Sequence, residues 1–415
     1  MNSSNAATDV AARSPSEPVA MVERDGGRGS DATQPLFVGV LAVLLATGWA
    51  ANHFAALMPA IRDHQHLGAA TLDAIFGIYA VGLLPGLLIG GRASDSLGRQ
   101  AVAWAGSATA LVGTVAMLLS QHSAVLLVGR LILGLGVGLA ISSCTAWASD
   151  LKGPAGAAVG GAVLTAGFAI GPFASGAIAS AGQPGIAVSF GVAAALVVAA
   201  TLLAVVAARR TNVTAPAVRR DLEQPMLPRR GSAWALSWAL PLAPWVFASA
   251  TLAFVAIPSR IHTGVAAPVA AGTAALIANG VSGLIQLIAR ARRWGPQAGT
   301  AGVLLAALGY ALTAGAPPTI APELGLALLV MLGCASGLCL REGLIDLEAA
   351  APQRVRGALT GVFYALTYIG FGLPLLLTTV GFAGSTMILA VMAVLASATA
   401  VSRAVRLRRD THRQN

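Results

Sequence analysis

Stretches of about twenty predominantly apolar residues recur along this chain, and no other feature constrains its fold as strongly. Inside hydrocarbon every backbone N–H and C=O must find a partner within the chain, so segments of that length cross as α-helices. Twelve spans are expected, near 36–60, 72–91, 101–120, 124–148, 156–181, 186–208, 233–257, 267–289, 298–316, 322–344, 358–380 and 384–402. The expected fold is an all-α polytopic membrane protein with twelve transmembrane helices in two six-helix, pseudo-symmetric bundles. Residues 36–208 and 233–402 form the bundles, and 209–232 is a cytoplasmic linker carrying Arg209/Arg210, Arg219/Arg220 and Arg229/Arg230. Residues 1–35 are polar and Gly/Ser-rich without the apolar core of a signal peptide, which reads as a disordered cytoplasmic tail. Residues 403–415 form a second, basic tail.

Only 10% of the residues are charged, against roughly 25% in soluble domains. The net charge of +10 suggests nucleic acid, but its distribution argues otherwise. With the N-terminus in the cytoplasm, all but four of the 26 Lys and Arg residues lie in cytoplasmic loops or tails. Arg62 and Arg260 face outward, and Arg130 and Arg341 fall within spans. That bias is what positive-inside topology demands, so the basic charge reports a cytoplasmic-membrane protein with both termini inside. It also implies some affinity for anionic lipid, and no nucleic acid partner is expected. The three cysteines all lie in apolar segments, so no disulfide framework is indicated. Sliding the first half by 201 residues sets Gly156, Gly160 and Gly171 on Gly357, Gly361 and Gly372. This supports two bundles related by an axis along the membrane normal.

Between spans 2 and 3 lies Gly91-Arg-Ala-Ser-Asp95-Ser-Leu-Gly98-Arg99, a charged loop at the edge of hydrocarbon. Gly90 and Gly91 would let the end of span 2 approach a neighbour, and Gly98 permits a tight turn. The pattern resembles the signature loop between helices 2 and 3 of the major facilitator superfamily, with Gln100 where a basic residue is usual. The resemblance implies that Asp95 contacts the start of helix 11 and helps hold the cytoplasmic side closed. Here that start, Arg354-Val-Arg356-Gly357, offers a helix N-terminus and cationic partners.

Span 5 carries Gly167-x-x-x-Gly171-Pro172-x-x-Ser175-Gly176. Pro172 leaves one carbonyl unpaired, so the helix can bend, and the glycines let neighbours pack close. The element resembles one found in the superfamily's proton-driven exporters, with Ser175 in place of a glycine. Span 4 carries Arg130 followed by Gly134, Gly136 and Gly138, similar to the superfamily's intramembrane arginine. Arg130 lies about 9 Å from the outer end of its span, so both snorkelling to water and a buried role are open.

Carboxylates for proton coupling are few. Asp73 opens span 2 and reads as an interfacial charge that favours the helix dipole. Glu342 follows Arg341, and adjacent helical positions point about 100° apart, so a simple side-by-side pair is not expected. Glu342 serves equally as an interfacial anchor. Asn52 and His53 interrupt the apolar run of span 1. His53 either titrates near physiological pH or packs as a hydrogen-bonded core residue.

No P-loop, metal helix or nucleophile elbow is present, so the chain reads as no enzyme and calls for no cofactor or metal. The expected function is alternating-access, proton-coupled export of a small apolar or amphipathic compound, carried out by a monomer. Proton-driven import of a sugar or organic acid is the second expectation. A membrane sensor or scaffold that transports nothing is the third.

Overall fold

In the computed structural model the chain is built from helices, and residues 25–211, 231–262, 264–350 and 356–414 are described. Among them there is no β-strand, only an isolated bridge between Ile261 and Ile320. The helices are α1 (Asp25–Asn52), α2 (Phe54–Gln65), α3 (Ala69–Leu97), α4 (Arg99–Leu119), α5 (Ser123–Ala179), α6 (Gln183–Thr211) and α7 (Ser232–Ala239). They continue as α8 (Ala243–Thr251), α9 (Ala267–Ala291), α10 (Gln297–Gly315), α11 (Pro322–Ala350), α12 (Arg356–Tyr368) and α13 (Leu373–Gln414).

Eleven stretches of helix among the described residues are long and apolar enough to cross a membrane. The difference from the expected twelve arises at the end of the chain. There Leu359–Asp410 runs for 52 residues, about 78 Å at 1.5 Å per residue, against a hydrocarbon core of about 30 Å. It is not one rod. Gly381 stands at φ 71° and ψ −178°, a backbone conformation open to glycine and strained for other residues. The Ser385 hydroxyl donates to the Leu377 carbonyl, 2.7 Å away, although eight residues of straight helix rise about 12 Å. The chain therefore turns sharply at Gly381. Helix α5 is broken the same way at Lys152 and Gly153, giving the arms Ser123–Gly153 and Ala155–Ala179.

Prolines account for the other irregularities. The stretch Ser232–Arg260 contains a 3-10 turn at Leu240–Leu242, which holds Pro241, and a π turn at Leu252–Ala256 ahead of Pro258. The ends also differ from expectation. Helix begins at Asp25, not after residue 35, and α13 continues to Gln414 with Arg403 buried among its neighbours, so a separate tail does not begin at residue 403. Residues 1–24 and 212–230, which hold the rest of the expected tail and most of the linker, lie outside the described residues.

The first arm of α5 packs between α3 and α4, and the second packs between α1 and α9. The Ala155–Ala179 arm thus joins helices from before and after the linker.

Candidate functional site

Proline at position 172 cannot donate to the carbonyl four residues earlier, which belongs to Phe168. A buried acceptor left without a donor costs roughly 1–3 kcal/mol, and the fold supplies two. The Asn52 side-chain amide donates to the Phe168 carbonyl at 2.9 Å, and the Asn279 amide reaches it from α9 at 3.4 Å. Asn279 also donates to Ala275 of its own helix at 3.0 Å. One carbonyl thus receives donors from α1 and α9, which lie on opposite sides of the linker.

The small residues of this arm divide by direction. Gly167 and Gly171 face α1, where a methyl group on Gly171 would lie 2.8 Å from the Trp49 Cα. Gly176 faces α9, and a methyl there would strike the Pro268 carbonyl. From the other side, a methyl on Gly272 would lie 2.6 Å from the Pro172 carbonyl oxygen. Towards the opposite end the Thr165 methyl packs on Gly283, where an added methyl would lie 3.0 Å from it. The two helices therefore touch backbone to backbone near Pro172 and remain in contact as far as Thr165 and Gly283.

Arg130 does not snorkel. Its side chain is wholly buried because α1, α2 and α3 close around it, donating to the carbonyls of Ala51 (2.9 Å) and Phe76 (3.4 Å). The guanidinium carbon sits 4.4 Å from the Tyr79 ring centroid and 4.9 Å from that of Phe54. Aromatic faces carry negative quadrupole density and offset part of the desolvation that no carboxylate among the described residues offsets. Phe76 in turn stacks on Phe371 with centroids 5.3 Å apart, and Phe371 meets Phe247 at 5.1 Å. This aromatic layer joins α3 to the second half of the sequence. Three of the four tyrosines, Tyr79, Tyr364 and Tyr368, belong to it, brought together from distant parts of the sequence. His53 is also buried, its Nδ1 donating to the Ala50 carbonyl at 2.9 Å and its ring set edge-on to Phe190.

Asp73 departs from the interfacial reading. It is buried, and the Thr378 hydroxyl of α13 donates to its carboxylate. The reason is that α3 begins at Ala69, so Asp73 lies a full turn inside the helix, against a neighbour from the other side of the linker. Arg341 and Glu342 also depart from expectation by forming an ion pair. Their backbones diverge, yet both side chains are long enough to curl together when Glu342 is buried. Nearby, Arg403 pairs with Asp346 at 2.7 Å.

In the 91–99 loop Gly98 adopts φ 93° and ends α3. Arg99 binds Asp95 at 2.5 Å, Asp150 at 2.8 Å and the Ser94 hydroxyl at 2.7 Å, closing a ring between α3, α4 and the break in α5. Close approach at this end falls to Gly90, where a methyl would strike Ser142, while Gly91 faces open space. Arg354 and the Arg356 side chain lie outside the described residues.

Many apolar helices, a seam of small residues crossed by few polar contacts and a buried arginine in an aromatic layer define a multi-pass membrane protein. Residues 38–375 match the Major Facilitator Superfamily, and the chain belongs to that family, whose members are transporters and not enzymes. Multidrug resistance protein MdtL of Escherichia coli O45:K1 is 33% identical over 81 residues, covering 20% of this chain and 21% of MdtL. MdtL of Shigella flexneri serotype 5b is equally similar over the same length. The match spans about a fifth of the length of these curated relatives. Among solved structures, a point mutant of the peptide transporter POT in complex with sulfate superposes with TM-score 0.75 at 13% identity, covering 90% of this chain and 94% of that one. The nucleoside transporter NupG gives 0.62 at 14%, covering 89% and 99%. At such identities these likenesses concern the fold.

Proposed function

We propose that the protein crosses the cell membrane twelve times, with both termini cytoplasmic, and exports small apolar or amphipathic compounds in exchange for protons. Two six-helix bundles, residues 36–208 and 233–402, rock about the seam to expose a central site to each side in turn. The turn at Gly381 supports counting Leu359–Asp410 as two crossings. The observation that carries the reading is the seam: backbones from the two sides of the linker touch at Pro172 and Gly272, and the Phe168 carbonyl takes donors from both sides. The short stretch of similarity to MdtL and the exporter-like element around Pro172 support export. Of the candidate coupling groups, Asp73 is buried between α3 and α13, which come from opposite sides of the linker, while Glu342 is paired within the second half.

One proton crossing 100 mV releases roughly 2.3 kcal/mol, enough to support a substantial substrate gradient. In everted vesicles, acidifying the lumen should drive uptake of an apolar dye, and a protonophore should stop it with ATP still present. Uphill flux that survives the protonophore overturns proton coupling, and no flux of any kind returns the sensor reading. Inward symport of an organic acid is the second reading, favoured by Arg130, whose buried cation has no carboxylate partner among the described residues. Proton-driven uptake of such an acid by whole cells would establish it.

Asp95 is proposed to close the cytoplasmic side against the start of α12. Asp95→Asn keeps the volume and removes the charge that Arg99 holds. Transport should fall while membrane abundance stays normal, and the cytoplasmic side should label more readily with a thiol reagent. Unchanged transport by this variant removes the gating role.

A further inference from the structure

Helices α4 and α6 lie side by side on the outer surface of the first half and leave a groove of about 590 Å³ between them. Its walls are apolar, built by Trp104 and Leu111 on one side and Val198, Leu202 and Val205 on the other. One end is different. There Gln100, at the start of α4, sits with Arg209, at the end of α6. The groove extends from Gln100 to Leu111 along α4 and from Arg209 to Val197 along α6, about 16–18 Å at 1.5 Å per residue. Half of a 30 Å hydrocarbon core is about 15 Å, so the groove is one leaflet deep with its polar end at the interface.

Among the described residues no acid neutralises the charges at that end. Arg209 and Arg210 have no ion-pair partner among the described residues, and the nearby acids Asp95 and Asp150 are held by Arg99. The first N–H groups of α4 add partial positive charge there, since its N-cap is Gly98 and no side chain caps it. A cationic rim above a one-leaflet apolar trough is complementary to an anionic head group carrying an acyl chain. We infer that this groove is a binding site for an anionic glycerophospholipid, with its phosphate at Arg209 and Arg210 and one acyl chain between α4 and α6. The site does not depend on the transport reading, and the proposed topology places it in the inner leaflet.

The test uses the full chain in detergent with added phosphatidylglycerol, phosphatidylethanolamine or phosphatidylcholine of identical chains, read by native mass spectrometry. One phosphatidylglycerol should be retained in preference to the other two. Arg209→Gln should weaken that retention about fivefold, the effect of one interfacial arginine, and removing Arg210 as well should compound the loss. Ala108→Phe fills the trough and should expel the lipid with the arginines intact. Positions 108 and 209 are exposed, so neither change disturbs internal packing, and unchanged melting temperatures in lipid-free detergent check this. Equal retention of the three head groups, or retention indifferent to both variants, means ordinary annular lipid and overturns the proposal. Displacement of the lipid by a transported apolar compound also overturns it, by making the groove a lateral entrance for substrate.

Discussion

Gly272→Val is expected to stop turnover while leaving the protein folded in the membrane. Even a methyl group there lies 2.6 Å from the Pro172 oxygen and 3.0 Å from the Phe173 Cα. Both neighbours come from the other side of the linker, so the clash exists only while the seam is closed at this end. Overpacking costs about 1–3 kcal/mol, and a penalty confined to one conformation shifts its population roughly 5- to 150-fold. Flux in vesicles should fall by a comparable factor, and a cysteine at buried Ala271 should become reactive to an impermeant maleimide. Gly171→Val supplies the contrast. Its collision is with Trp49, within the same half, so it penalises every conformation and should lower the melting temperature instead. Normal flux through Gly272→Val would show that the seam does not open at Pro172.

Arg130→Met should abolish transport without loss of stability. A wholly buried cation with no carboxylate partner carries a desolvation cost that an apolar side chain of similar length avoids, so the melting temperature should hold or rise. The variant loses the donors to Ala51 and Phe76 and the cation above Tyr79 and Phe54, which together fix the mutual position of α1, α2, α3 and the first arm of α5. Arg130→Lys should not rescue, because an ammonium cannot span both carbonyls and stack at once. Retained flux in Arg130→Met would reduce this residue to packing.

The crossing helices were legible in the sequence because hydrocarbon thickness fixes their length, and the Leu359–Asp410 stretch departs only where one glycine turns the chain. Pro172 announced that the Phe168 carbonyl would need a donor. The donors themselves stand 116 and 111 residues away in sequence, so their identity follows from tertiary approach. Asn279, a polar residue in the middle of an apolar span, was the signal available. Arg130 was visible as a costly residue, but its surroundings come from α2 and α3, and no local pattern encodes that convergence. The Arg341–Glu342 pair escaped because angular reasoning places Cα–Cβ vectors and not the ends of long, flexible side chains.

The doubly bonded carbonyl of Phe168 has a mechanical consequence. If α9 swings away, the weaker bond from Asn279 is released while Asn52 keeps the acceptor satisfied, and the Asn279 amide keeps its bond to Ala275. No buried polar group is stranded on either surface, so the penalty of roughly 1–3 kcal/mol for an orphaned acceptor never arises. In the proposed rocking motion the joint acts as a bearing and not as a latch: α9 parts from α5 without stranding a polar group.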